Sequence, residues 1–294
     1  MGQVQPQTNS KQANGLAQMN EKQFIKLAEV ITSKFGIKMP LDKKAMLEAR
    51  IRRRLRALKI NNFTAYFDLL FSDQGWQREV VYMIDAVTTN KTEFFRESHH
   101  FDTMASLALP SFAANIQQVK RPLRVWSAGC SSGAEPYTIC MVIEEFKLNG
   151  NGNRNISYQI IASDLSTEML KIAKKGIYEA AIIDPVAVHL RKKYFLKSKA
   201  GNHDLVRIVP ELRKKIQYYR LNLMDAKYGF KEQMDIIFCR NVMIYFDRKT
   251  QQQLIGRFKD NLRPGGYLFI GHSESLAMEG SSFTRVGSTV YQNC

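Results

Sequence analysis

The residues with the clearest chemical potential surround a short glycine-bearing turn. Gly129-Cys-Ser-Ser-Gly133-Ala-Glu135 follows an apolar run, Leu123-Arg-Val-Trp-Ser127, and precedes a helical pattern from Tyr137 to Lys147. Glycine at such a turn lets a ligand approach the backbone closely, and the helix start behind it offers unpaired N–H groups. The spacing Gly-x-x-x-Gly is neither the dinucleotide fingerprint nor a phosphate-binding loop ending in Gly-Lys-Ser/Thr. A second candidate, Asp164, ends the apolar run Gln159-Ile-Ile-Ala-Ser163. A carboxylate in that position suits the paired hydroxyls of a ribose. Both features also have plainer uses, the glycines as a tight strand-to-helix turn and Asp164 as a helix cap.

These residues make a site only if strands and helices alternate around them, and the pattern after Pro122 does alternate. Strands are expected at 123–127, 159–163, 216–221, 235–239 and 267–271, with helices at 137–147, 166–175 and 249–262. That order implies a doubly wound, mostly parallel α/β sheet covered on both faces, with ligands at the carboxyl ends of its strands. Thr284–Gln292, centred on Gly287-Ser288, reads as a hairpin. Asp164 lies 35 positions beyond Gly129, where about 20 is usual, and the loop-like LNGNGNRN stretch at 148–155 absorbs much of the excess. A ribose-type acid without a pyrophosphate loop points to a nucleoside cofactor lacking phosphates, of which S-adenosylmethionine is the common one. About forty residues between Gly176 and Ile216 exceed an ordinary crossover. Strand-like runs at 194–197 and 205–209 flank Ala200-Gly-Asn202 there, which suits either a solvated insertion or a partner-binding subdomain.

The preceding part is helical. Asn20 with Gln23 forms a capping pair ahead of Phe24, Leu27, Ala28 and Ile31. Further helices are expected at 42–58, 63–70 and 77–87, and residues 1–18 read as a disordered tail. The whole chain has 294 residues and a net charge of +16, from 43 Lys/Arg against 27 Asp/Glu. Half of that excess lies in residues 20–60, with twelve Lys/Arg against four Asp/Glu. On the 42–58 helix Leu47, Ile51, Leu55 and Leu58 form the buried stripe. Arg52, Arg53 and Arg56 face away, and Arg50 and Arg54 flank the stripe. Such a run is either a solvated face or a surface for an acidic partner. No apolar run reaches the roughly 18 residues that a membrane span needs, and there is no signal pattern. The four cysteines lack metal-ligand or disulfide spacing, so no metal is expected, and the reducing cytosol is the expected compartment. His272, in Gly271-His-Ser-Glu274, stands alone after a strand and reads as structural.

Taken together, Thr88-Thr-Asn90-Lys-Thr92-Glu-Phe-Phe-Arg96, Ser127-Ala-Gly-Cys-Ser-Ser-Gly-Ala-Glu135-Pro-Tyr, Ser163-Asp164-Leu-Ser, Phe238-Cys-Arg240-Asn241-Val-Met-Ile-Tyr245-Phe-Asp and Leu262-Arg-Pro-Gly-Gly-Tyr resemble the motifs of the chemotaxis receptor methyltransferases, the CheR family, in the family's order. The resemblance runs from about residue 20 to Cys294. It implies the S-adenosylmethionine-dependent methyltransferase fold over 89–294, a helical domain over 19–88 and an antiparallel β-subdomain inserted at about 177–215. It further implies methyl transfer from S-adenosylmethionine to glutamate side chains of chemoreceptors, giving glutamate methyl esters and S-adenosylhomocysteine.

By the same resemblance the cofactor contacts fall on Asn90, Thr92, Arg96, Glu135, Asp164, Asn222, Leu223, Arg240 and Asn241, with Arg96 and Tyr245 arranging the reacting groups. Arg50, Arg52, Arg53, Arg54 and Arg56 would face the acidic cytoplasmic helices of a receptor; in some members of the family the inserted subdomain meets a receptor's C-terminal tail, whereas Lys197–Asp204 here has only Gly201 in its turn, fewer glycines than the family's turns carry. The enzyme would be a cytoplasmic monomer recruited to membrane receptor arrays, without membrane insertion. Two rivals compete with this reading. A nucleic-acid methyltransferase would also suit the positive charge, but Arg240-Asn-Val-Met-Ile-Tyr245 stands where amino-methylating enzymes carry Asn/Asp-Pro-Pro-aromatic. A non-catalytic receptor adaptor would have no need of the intact cofactor set.

Overall fold

The computed structural model describes residues 18–115, 120–149, 156–198, 204–274 and 283–294. The expected tail, apart from Gln18, and the Ala200-Gly-Asn202 turn lie outside them. The chain falls into two compact units. One comprises Pro40–Val87 with the described residues up to Leu27; the other comprises Ala28–Met39 with Thr88–Cys294.

The first unit is helical. Helix α1 (Glu21–Phe35) begins with the reciprocal cap its sequence predicts: Gln23 N–H donates to Asn20 Oδ1 at 2.8 Å, and Asn20 N–H donates to Gln23 Oε1 at 3.1 Å. It is followed by α2 (Lys44–Leu58), α3 (Phe63–Leu70, capped by Asn62) and α4 (Asp73–Val87). Leu47, Ile51 and Leu55 are fully buried, as their 3–4 residue spacing requires. Glu79 of α4 is buried beside them, and Arg54 donates to both its oxygens at 2.8 Å, with the Tyr66 hydroxyl on one of them at 3.2 Å.

The second unit is built on a seven-stranded sheet in the order β6-β2-β1-β7-β8-β10-β9. Its strands are β1 (Leu123–Ala128), β2 (Tyr158–Asp164), β6 (Ile216–Arg220), β7 (Met234–Cys239), β8 (Leu262–Ile270), β9 (Phe283–Gly287) and β10 (Val290–Asn293). β6, β2, β1, β7 and β8 pair in parallel, whereas β10 joins β8 and β9 antiparallel. Alternation along β1 sends Leu123 and Val125 into one apolar layer and Trp126 and Ala128 into the other. The central strands are thus apolar on both faces, as a doubly covered parallel sheet demands.

Helices α5 (His99–Thr103) and α6 (Leu109–Ala114) precede β1, joined by a π-helical turn at Met104–Ala108. Helix α7 (Ala134–Leu148) follows β1, and α8 (Thr167–Lys175) follows β2 behind an Ser166 cap. The long crossover expected after Gly176 contains a three-stranded antiparallel sheet, β3 (Ile177–Glu179), β4 (Phe195–Lys197) and β5 (Leu205–Ile208), in the order β3-β5-β4. Helices α9 (Val188–Tyr194) and α10 (Pro210–Arg213) flank it, and α11 (Arg248–Asn261) leads into β8. Among the described residues no helix is long and apolar enough to cross a membrane.

Candidate active site

The chain leaves β1 to one side through β2 and β6, and to the other through β7 and β8. The strand order therefore reverses between β1 and β7, and in a doubly wound sheet the crevice outside the strand ends at that point is where ligands bind. Gly129 follows β1 there and Arg240-Asn241 follow β7. Asp164 closes β2, and Asn222 and Leu223 come just after β6. The sheet thus places most of the predicted cofactor residues along one edge.

The turn after β1 is closed by its own hydrogen bonds. Gly129 and Cys130 N–H both donate to the Ser163 carbonyl, at 2.8 and 2.9 Å, and Gly133 N–H donates to Cys130 O at 3.0 Å. Ser131 N–H donates to Asp164 Oδ2 at 2.7 Å. Four of the five backbone donors from Gly129 to Gly133 are therefore taken by the chain itself. A phosphate nest needs such donors free, so the turn suits a nucleoside ligand and not a polyphosphate. Asp164 is held by Ser131 on one oxygen and by Ser166 N–H, at 2.8 Å, on the other. These contacts fix the orientation of the Asp164 carboxylate at the end of β2. The plain reading of the turn as a tight strand-to-helix connection holds, whereas that of Asp164 does not: the cap of α8 is Ser166, whose hydroxyl accepts from Met169 N–H at 3.2 Å.

Arg240 forms the centre of the site. Its guanidinium, 2 % exposed, donates to Glu135 Oε2 at 3.1 Å and to Glu97 Oε2 at 3.2 Å. It also donates to the Arg96 carbonyl and lies over the Phe101 ring. The other Glu135 oxygen accepts from the Ser127 hydroxyl at 2.7 Å, and the other Glu97 oxygen accepts from the Asn241 amide at 3.2 Å. Burial pushes the Glu135 carboxyl up from its ordinary value, against the pull of Arg240 and Ser127. At Glu97 burial pushes the same way, but Arg240 and Asn241 outweigh it and hold the carboxyl down.

The backbone around this knot is strained. Phe95, Glu97, Ser131 and Asn241 all have positive φ, at 56°, 53°, 49° and 59°. Non-glycine residues in this region cost of order 1–3 kcal/mol each and persist where the surroundings over-determine them. Here Phe95 N–H donates to the Thr138 hydroxyl at 3.2 Å, and the Ser131 hydroxyl donates to Asn90 O at 2.9 Å. Glu274, buried just after β8, accepts N–H bonds from Gly271 at 2.6 Å and Asn241 at 3.0 Å on one oxygen, and from Ile244 at 3.2 Å on the other. Burial raises its carboxyl, opposed by these backbone donors. Glu97 and Glu274 thus both hold Asn241. Neither was among the sequence-selected residues, although Glu97 directly follows the motif ending at Arg96 and Glu274 closes Gly271-His-Ser-Glu274.

The other predicted residues are more loosely tied. The Arg96 side chain touches the Lys91 carbonyl at 3.1 Å. The Asn90 amide reaches the Thr88 hydroxyl at 3.2 Å. Thr92 and Tyr245 are half-buried, and the Tyr245 hydroxyl has no partner among the described residues. Asn222 donates to Lys34 O at 2.8 Å and accepts from Met224 N–H, while the Leu223 carbonyl takes Tyr228 and Arg257. The arginine cluster on α2 also divides. Arg54 is committed to Glu79, Arg52 to Glu48 and Arg50 to the Val87 carbonyl, whereas Arg53 and Arg56 stand exposed.

Comparison with known proteins gives the family. Residues 90–292 match the family described as "CheR methyltransferase, SAM binding domain", and residues 22–88 match "CheR methyltransferase, all-alpha domain". The chain is 36 % identical to the chemotaxis protein methyltransferase of Borreliella burgdorferi, covering 92 % of this chain and 93 % of that one. It is 38 % identical to chemotaxis protein methyltransferase 2 of Pseudomonas aeruginosa, covering 87 % of each. To the Escherichia coli chemotaxis protein methyltransferase it is 36 % identical, over 93 % and 91 %.

Proposed function

The chain belongs to the CheR methyltransferases, and on that premise we propose that it methylates glutamate side chains of chemoreceptors, leaving glutamate methyl esters and S-adenosylhomocysteine. The observation that carries this reading is the knot of Glu97, Glu135, Arg240 and Asn241 at the sheet's switch point, beside a turn whose donors are closed to phosphate. Bound there, the sulfonium cofactor supplies an electrophilic methyl group. Asp164 would hold its ribose; Asn90, Thr92, Glu135, Asn222, Leu223, Arg240 and Asn241 would line the rest, and the Arg96 guanidinium would bind its carboxylate.

A glutamate side chain, with a pKa of about 4.3, is already ionised at neutral pH. The chain's residues therefore need not abstract a proton. Their task is to hold the carboxylate oxygen in line with the methyl carbon and the sulfur, and such positioning lowers a barrier by several kcal/mol. The unpartnered Tyr245 hydroxyl orients the incoming carboxylate. Arg53 and Arg56 draw in the acidic receptor helices. Strand β4, an edge of the small sheet, accepts a receptor's C-terminal tail as an added strand. No metal takes part in methyl transfer. The protein works in the cytoplasm, recruited to receptors.

The test is transfer of labelled methyl from S-adenosylmethionine to receptor cytoplasmic fragments, with tRNA and DNA as parallel substrates. Label that is released by mild alkali, and that disappears when receptor glutamates are replaced, is the expected result. Labelling of nucleic acid instead would overturn the substrate assignment.

A further inference from the structure

A cluster of imidazoles stands beside the site and takes no part in the function above. His99 and His100 open helix α5, and His272 follows β8. One ring nitrogen from each lies within 4.8 Å of the other two. His99 Nε2 and His272 Nε2 are 2.8 Å apart, so one of these nitrogens carries a proton and the other presents its lone pair. His100 is fully buried, and its Nε2 lies 2.8 Å from the Thr289 hydroxyl. That hydroxyl donates to the Ser288 carbonyl, which leaves Nε2 as the donor and Nδ1 with a bare lone pair. Nδ1 has no hydrogen-bond partner among the described residues, and it faces Glu97 Oε2 at 3.4 Å. Glu97 Oε2 is already paired with Arg240 at 3.2 Å, so the buried atom left without a hydrogen-bond partner is His100 Nδ1, a lone pair suited to a metal ion.

We propose that His99, His100 and His272 form a binding site for a divalent transition-metal ion of the zinc class. Neutral imidazole is the preferred nitrogen ligand of such ions, and three histidines with an open fourth position are a common set. Metal–nitrogen bonds of about 2.0–2.1 Å in tetrahedral geometry separate the ligand atoms by about 3.3 Å. His99 and His272 therefore move apart slightly and close on the ion, which their partial exposure permits, while buried His100 stays fixed. Glu97 and Asp102 set negative charge around the cluster and Arg240 sets positive charge. Arg240 is already ion-paired with Glu97 and Glu135. The ion would tie α5 to the loop after β8, the loop whose Glu274 holds Asn241.

Purified full-length protein, stripped with chelator, is titrated with Zn2+ by calorimetry and with Co2+ by visible absorption. The expected result is one ion per chain and the intense cobalt spectrum of a four-coordinate site. His272→Ala and His99→Ala should each weaken binding by at least about tenfold, since even second-shell losses cost about 10–100-fold. His189→Ala removes an exposed histidine outside the cluster and should change nothing. Zn2+ should also raise the melting temperature of the wild type but not of His272→Ala. Binding of equal strength in wild type and His272→Ala, or only the spectrum of hydrated cobalt, would overturn the proposal.

Discussion

Replacing Arg240 by methionine probes the site most directly. Methionine keeps the unbranched stem and removes the charge, so the packing over Phe101 is largely retained and the loss is electrostatic. The guanidinium is 2 % exposed, and its removal leaves Glu135 and Glu97, 12 % and 16 % exposed, without their shared counter-ion. Breaking a buried pair by removing one partner costs about 3–5 kcal/mol, and the partial exposure of both carboxylates puts the expected loss near the lower figure. The penalty should depend on pH in a definite direction. Without Arg240 both carboxyls titrate above their unfolded value of about 4.3. A raised carboxyl favours the folded state below the unfolded pKa and loses that contribution as pH rises through the folded pKa. In the wild type Glu97 is depressed, so its contribution is present above the unfolded pKa and fades as pH falls. Both effects make the difference between wild type and variant largest at neutral pH and smallest near pH 4.5. Urea denaturation of wild type, Arg240→Met and Arg240→Met/Glu135→Gln at pH 4.5, 6 and 8 measures it, with the double variant recovering part of the loss. A penalty that is the same at all three pH values would refute the electrostatic account of the knot.

Four further outcomes follow from the same geometry. Glu274→Gln leaves one acceptor oxygen where three backbone N–H groups now converge, so it should cost about 1–3 kcal/mol and weaken S-adenosylhomocysteine binding, read by denaturation and calorimetry. Gly129→Ala places a Cβ 2.4 Å from Val242 Cγ2 at a φ of +79°; pairing it with Val242→Ala removes the clash but not the backbone strain, so melting temperature should recover only in part. Arg54→Ala should destabilise the protein by about 3 kcal/mol, because it strands Glu79, while Arg53→Ala should stay within about 0.5 kcal/mol. Conversely, Arg53→Glu with Arg56→Glu should lower kcat/KM for a receptor fragment by about tenfold at low salt through lost steering, with cofactor affinity unchanged.

The strands around the site were legible because each buries both faces and so reads as an apolar run, and β1 is a clear instance. The Asn20–Gln23 cap was legible because both partners lie within one turn. Less local features were hidden. Strand β3 has three residues, too few to show a period. Residues 99–114 bury Phe101, Met104, Ala108 and Leu109 at helical spacing, but the segment is broken into short pieces by a π-helical turn and has Pro110 in the last helix's first turn. Strand β8 begins at Leu262 and runs through Pro264-Gly-Gly266, residues that normally end a strand; the ladder with β7 shifts register in that region. Within the site, Asp164 and the β1 turn were found from strand-end position alone. The roles of Glu97 and Glu274 depend on left-handed backbone at Phe95, Glu97 and Asn241, which propensity does not forecast for Phe or Glu and only weakly favours for Asn. Likewise α2 showed five arginines of one sign; Arg52 is tied to Glu48 within the helix itself, but only α4, which carries Glu79 and ends at Val87, separates Arg50 and Arg54 from the exposed pair.

Val125 of the central strand pairs with Ile236, a partner the ribosome delivers only after more than a hundred further residues. At about 5–20 residues per second that is a wait of roughly 5–20 seconds. The helical unit closes on contacts within its own short span and is finished early. The nascent α/β unit meanwhile presents one unsatisfied, strongly apolar edge of β1, the kind of surface that pairs with the wrong chain. Production of this protein should therefore depend on chaperone supply and translation rate far more than the stability of the finished molecule would suggest.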